Sequence, residues 1–182
     1  MSAVDVKFTY EDLRSTPDDG NRYELFEGDL IVSPAPSFAH QRIVARLFYL
    51  LSKHVIEGHL GEVVTAPCDV IFSDDTVVEP DILFISNERR SFIQEHGVVG
   101  APDLLVEVIS ESTGGRDRGF KLKLYAQQGV KEYWIADPGT QSLEVYSLSL
   151  NEFRLAGRFE GEEEILSLIF PELKFPVNGL WT

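Results

Sequence analysis

The chain has 182 residues, 43% of them hydrophobic, and 30 acidic against 16 basic side chains leave a net charge of −14, with an isoelectric point near 4.6. That length suits one domain with its own core, no apolar stretch is long enough to span a membrane, and a single cysteine, Cys68, excludes an internal disulfide and a cysteine zinc cluster. So acidic a composition also excludes avid nucleic-acid binding by overall electrostatics, which calls for a basic coat.

Met1 to Asp5 lack the charged-then-apolar pattern of a secretion signal, so a cytoplasmic protein is expected. Thr9-Tyr-Glu-Asp-Leu reads as a short N-capped helix, followed by a turn at Pro17-Asp-Asp-Gly-Asn. Tyr23 to Phe26 and Leu30 to Ser33 read as a hairpin around Glu27-Gly28-Asp29. Ser37 can cap a long helix through about Glu57, closed by Gly58 and Gly61. Two strands come next, Glu62 to Thr65 and Asp69 to Phe72, then a turn at Ser73-Asp-Asp-Thr and a strand, Ile82 to Ile85, opened by Pro80-Asp81. Asn87 to His96 reads as a short helix, Leu104 to Ser110 as a strand, and Arg116 to Gln128 as a helix stopped by Gly129. Glu132 to Ala136 and Leu143 to Ser147 form a hairpin, the second strand being an edge free to pair across subunits. The order predicts an α/β chain of the α+β kind: one mixed sheet with helices packed on it, in a single domain over 1–182 with a strand-rich part from 147.

Two carboxylates interrupt the apolar pattern. Leu104 to Ile109 and Ile82 to Ile85 read as strands buried on both faces, yet Glu107 sits within one and Asp81 opens the other. A lone buried carboxylate loses several kcal/mol of hydration unless compensated. A divalent cation held between the two acids would supply that compensation, since hard oxygen ligands suit Mg²⁺ or Mn²⁺. The plainer reading is that each acid faces a surface cleft or pairs with a basic side chain.

On a helical wheel of about 100° per residue, Asp117, Lys121, Leu124, Tyr125 and Gln128 share one side of the Arg116–Gln128 helix, while Lys123 projects opposite. Lys121 can lean back over Glu107; equally, it can snorkel to water or pair with Asp117 one turn earlier. Two acids and a lysine are the minimum equipment for metal-assisted phosphodiester hydrolysis. Arg89, Arg90, Arg116, Arg118, Lys121 and Lys123 could supply a local basic rim, or simply be solvated helix surface. His54, His59 and His96 lack the spacing of a zinc helix. Ser112-Thr113 shapes the entry to the Lys121 helix, and Cys68 reads as a small core residue.

Pro80-Asp81, with Glu107 inside Val-Glu-Val, resembles the first two elements of the PD-(D/E)XK nuclease signature, although Ile109 stands where that signature has its lysine. The longer run Gly-Ala-Pro-Asp-Leu-Leu-Val-Glu-Val-Ile-Ser, with Ser112-Thr113, Asp117, Lys121, Tyr125, Gly129-Val130 and Glu132-Tyr133-Trp134, resembles the Uma-type group of restriction endonucleases over about residues 23–146. The resemblance implies a restriction-endonuclease-like sheet core flanked by helices. It implies an endonuclease acting on DNA, with catalytic Asp81, Glu107 and Lys121, Mg²⁺ (or Mn²⁺) held by Asp81 and Glu107, and a homodimer or higher homo-oligomer. The resemblance further implies that the lysine has moved onto the helix, where Lys121 occupies the matching place. Glu24, which alternation places on the face of Phe26, would join the acidic cluster; His40, Asp117 and Tyr125 are further accessory positions. Set against this is a catalytically silent protein-association module of the same fold, which the lack of a basic surface favours. An enzyme acting on RNA or a damaged strand would use the same site.

Overall fold

The computed structural model describes residues 6–110 and 114–182. A short helix α1 (Tyr10–Arg14) precedes a hairpin of β1 (Arg22–Phe26) and β2 (Asp29–Ser33), and the long helix α2 (Phe38–Glu57) follows. Thr9 and Asp12 close a capping box on α1, and the Ser37 side chain accepts from the His40 N–H to cap α2, as the sequence predicts. Glu27 and Gly28 both have positive φ, 52° and 81°, so the hairpin turns on the two-residue loop that suits strand twist.

Strands β3 (Gly61–Thr65), β4 (Val70–Ser73), β5 (Thr76–Val78) and β6 (Ile82–Ser86) come next. The predicted Asn87–His96 helix shrinks to one 3₁₀ stretch, Asn87–Phe92; the rest is a small hairpin, β7 (Ile93–Gln94) and β8 (Gly97–Val99). Ile93 and Val98 are cross-strand partners there, and β8 is held in parallel to β4. Strand β9 (Leu104–Val108) leads into a helical crossover made of α3 (Gly114–Arg116), a π-helical turn (Asp117–Lys121) and α4 (Leu122–Gln128). Strands β10 (Glu132–Asp137), β11 (Ser142–Ser149) and β12 (Glu152–Glu160) and an ordered tail complete the chain.

These strands build two six-stranded sheets, ordered β2-β1-β5-β4-β8-β7 and β12-β11-β10-β9-β6-β3, in place of the single sheet expected. The chain leaves the first sheet at Val78 and enters the second at Ile82, so Glu79-Pro80-Asp81 is the crossing. A proline there, without an N–H, ends one ladder before the next begins. Strand β11 is also not an edge: β10 and β12 flank it on both sides, so it has no free backbone ladder to offer a second subunit.

Both faces of β6, β9 and β10 are covered, which accounts for their apolar runs. Ile82, Phe84, Leu104, Val106 and Trp134 pack against α2 (Val44, Leu47, Leu51) and the tail (Ile165, Phe170, Phe175). Leu83, Leu105, Ile109 and Ile135 face α4 and the first sheet, and half-buried Cys68 packs on that layer. No helix among the described residues is long and apolar enough to cross a membrane.

The tail beyond 160 is tied to this core by Glu132, which is fully buried. Its carboxylate accepts from Trp134 Nε1 at 2.7 Å, Ser167 Oγ at 2.6 Å and the Leu168 N–H at 2.8 Å. Glu132→Ala would orphan all three donors, so we expect urea denaturation to show a loss of about 3 kcal/mol, with Glu132→Gln, which keeps an acceptor, losing less. An unchanged midpoint in the alanine variant would contradict this role.

Candidate active site

Four elements meet where the two sheets join. Strand β1 brings Arg22 and Glu24, the crossing brings Glu79 and Asp81, β9 brings Glu107, and the π-helical turn brings Asp117 and Lys121. The alternation of β9 turns Val106 and Val108 toward α2 and Glu107 toward the crossover helix. Widened turns of this kind recur where a helix serves a site, and this one buries both its aspartate and its lysine. A cleft of about 230 Å³ opens over the group, lined among others by Arg22, His40, Asp81, Glu107, Arg116 and Lys121.

Lys121 is 1% exposed. Its ammonium lies 2.7 Å from Glu107 Oε1, 2.9 Å from Glu24 Oε1 and 3.8 Å from Asp117 Oδ1. Of the three readings of Lys121, two are realised together, since it reaches Glu107 and also spans one turn to Asp117; its burial is at odds with the third, snorkelling to water. The Tyr125 hydroxyl donates to the same Glu107 oxygen at 2.9 Å. Glu24 Oε1 also accepts from the Glu79 N–H at 3.1 Å, while its Oε2 faces Arg116 Nη2 at 3.6 Å. Gln128, predicted on the side of Lys121, is exposed at the helix end.

Asp81 is held from three directions. Arg22 Nη2 donates to Oδ1 at 2.9 Å, the Val108 N–H donates to Oδ2 at 2.7 Å, and His40 Nε2 lies 3.1 Å from Oδ2. Arg22 also pairs with Glu79 through Nε at 2.9 Å. Burial alone would raise the Asp81 pKa, but His40, Arg22 and the Val108 N–H together hold it below the ordinary carboxylate range.

Among the described residues, Glu24, Glu79, Asp81, Glu107 and Asp117 share the junction with the permanent cations Arg22, Arg116 and Lys121, and with His40 beside Asp81. Burial, with Asp81, Asp117 and Glu24 nearby, pushes Glu107 up to about 8 despite Lys121. Burial would by itself pull the lysine down, yet Glu107, Glu24 and Asp117 outweigh it and keep the ammonium charged well above neutrality. Desolvation is the largest cause of the Glu107 rise, and the neighbouring carboxylates add to it.

The structure thus brings together Asp81, Glu107, Lys121, Glu24, His40, Asp117 and Tyr125, from segments as far apart as β1 and α4. Sequence reasoning passed over Arg22, although alternation along β1 places it on the face of Glu24, and over Glu79 beside Pro80-Asp81. Most of the expected basic rim is spent elsewhere. Arg89 donates to the Ala101, Pro102 and Gly129 carbonyls, Arg90 pairs with Glu62, and Arg118 bridges Asp137 and Glu144. Only Arg116 and Lys121 of that group line the cleft. Ser112-Thr113 lies outside the described residues.

Two six-stranded sheets, a helical crossover and a cleft at their junction define a mixed α+β fold. The chain belongs to the Uma2 family, described as "Putative restriction endonuclease", whose family model matches residues 9–178. That span is longer than the 23–146 of the motif resemblance and includes most of the tail. The fold is shared with a crystal structure of "a putative nuclease belonging to DUF820" from Anabaena variabilis ATCC 29413. That match has a TM-score of 0.79 and 20% identity, covering 96% of this chain and 97% of the other. No curated protein matches the chain.

Proposed function

We propose that the chain is a divalent-metal-dependent endonuclease that hydrolyses DNA phosphodiester bonds, with Asp81 and Glu107 as the ion's ligands and Lys121 as the catalytic cation. The observation that carries this reading is the Lys121 ammonium, buried between Glu107 and Glu24 beneath a cleft that Asp81 also lines. So dense a buried cluster, with its shifted protonation, costs stability and marks a functional site more often than a structural one.

The donor set fits a hard cation. All its candidate ligands are carboxylate oxygens, and among the described residues carboxyl groups outnumber permanent cations at the junction. Among the described residues no group of three or more His, Cys, Asp or Glu side chains is already gathered as a ligand cage. Mg²⁺ is suited to such a site, because it is commonly held by one or two carboxylates and completes its shell with water and substrate phosphate. When bound, the ion would supply positive charge to the phosphate and to the attacking water.

The chain's own residues do the rest. Lys121 is placed to orient water and to offset charge gathering on the phosphate, a task for a compact ammonium. Tyr125 fixes the Glu107 carboxylate against rotation. Arg116 and Arg22 line the cleft as donors for non-bridging phosphate oxygens, and His40, beside Asp81 in the same lining, would be a further donor to that phosphate. The overall charge of −14 favours the alternative, a silent protein-association module.

Calorimetric titration with Mn²⁺ separates the two. Asp81→Asn keeps an acceptor for the Val108 N–H, so the variant should fold and lose ion binding. Binding equal to wild type would remove Asp81 from the ligand set.

A further inference from the structure

Helix α2 buries Ile43, Val44, Leu47, Leu51 and Val55. Its opposite face should be polar in an ordinary surface helix. Instead Phe38, Arg42, Ala45, Tyr49, Lys53 and Ile56 form one solvent stripe at spacings of three and four residues. Phe38, Tyr49 and Ile56 are 84%, 64% and 69% exposed. No acid interrupts the stripe, and among the described residues Arg42, Arg46 and Lys53 have no carboxylate within ion-pair distance, unlike Arg22, Arg89, Arg90, Arg116 and Arg118. In a chain of charge −14, this helix face is a local positive exception.

Arg42 and Arg46 donate to the carbonyls of Trp181, Gly179 and Leu180. Those bonds fix the guanidinium groups against the tail without neutralising them. Between helix and tail lies a mainly apolar groove of about 550 Å³, walled by Arg42, Arg46, Tyr49, Phe175 and Pro176. Ala45 lines that groove and also a smaller cleft of about 230 Å³ that contains Asp81 and Arg22. A continuous surface therefore runs from the aromatic face of α2 to the carboxylate of the proposed site.

We propose that the outer face of α2, with its groove, docks single-stranded DNA and leads the strand past Ala45 to Asp81. For the direction of that path, the inference rests on reading the cleft as a nuclease site. Unpaired cations meet the phosphates, while Tyr49 and Phe38 offer ring faces to unpaired bases, the combination that single-strand binders use. A duplex keeps its bases stacked on each other and has no use for an apolar groove of this size.

The test measures fluorescence anisotropy of a labelled 12-nucleotide oligothymidine with the full chain, in EDTA. Wild type should bind it more tightly than a duplex of equal length. Tyr49→Ala and Phe38→Ala, both at exposed positions, should each weaken single-strand binding ~10-fold, and Lys53→Ala should lower the slope of log affinity against log salt by about one. Equal affinity of wild type and both aromatic variants would overturn the proposal. So would a preference for duplex that does not depend on Tyr49. A third overturning result is a fall in sedimenting mass in those variants with DNA affinity unchanged, which assigns the face to a second copy of the chain. Because hydrolysis plays no part without divalent ions, intact binding with no metal-dependent cleavage would remove the nuclease reading and leave the docking surface. Intact cleavage with equal binding by the variants would remove the docking surface alone.

Discussion

Lys121→Met should reduce Mg²⁺- or Mn²⁺-dependent nicking of supercoiled plasmid by about 10²–10³-fold, the loss usual when one pre-positioned donor to a developing oxyanion is removed. The methionine is close to the lysine stem in volume and removes the ammonium, with its charge and its N–H donors. It also leaves Glu107, Glu24 and Asp117 without their shared cation, at a cost of about 3–5 kcal/mol, as for other buried pairs broken on one side. Activity and folding are separated by the ion itself. A folded Lys121→Met keeps Asp81 and Glu107 and should still take up Mn²⁺ in calorimetry while failing to cut; an unfolded chain would lose both. A variant that binds Mn²⁺ and nicks at the wild-type rate would remove Lys121 from the chemistry.

The second large effect concerns the Glu107 proton. Its carboxyl is pushed from an ordinary value of 4.5 up to about 8. Between those values the folded chain binds a proton that the unfolded chain has released, so stability is greatest at the acid end of the window and falls as pH rises toward 8. The fall follows the linkage slope, at most about 1 kcal/mol per pH unit. Asp81 works in the opposite sense: held below its ordinary 3.8, it contributes stability above that value and loses it as pH falls further. Urea titrations should place the optimum near pH 5, and Glu107→Gln should flatten the decline toward pH 8 because the amide cannot ionise. A divalent ion must displace the same proton. Mn²⁺ titrations of wild type at pH 7, in two buffers of different ionisation enthalpy, should therefore show release approaching one proton per ion. Stability independent of pH from 5 to 8, with no proton release, would contradict the protonated Glu107.

Much of this site lies open in the linear order of residues because burial makes acids conspicuous. Glu107 within Leu-Leu-Val-Glu-Val-Ile and Asp81 after a proline stand out against apolar runs, and helical spacing groups Asp117, Lys121 and Tyr125. Arg22 was legible in principle through its alternation with Glu24, but an arginine at the end of a strand reads as solvated until a partner is known. The partner, Asp81, is 59 residues away in sequence, and no local pattern encodes that separation. Asn87–His96 shows the opposite failure. Its charged first half suits a helix, while pairing with β4 drew its end and the residues after it into strands.

By itself, the order of residues determined the secondary elements around the site, the acids that had to be compensated and the helix bearing the lysine, because each depends on local periodicity and the cost of burying charge. Tertiary structure alone decided that there are two sheets, that Arg22 and His40 hold Asp81, and that Lys121 is shared among three carboxylates. It also decided that the unburied face of α2 carries both cations and aromatic rings beside a groove closed by the tail. Those outcomes depend on which strands pair and on which charges meet across long loops, and long-range pairing is chosen by the packing of the whole core.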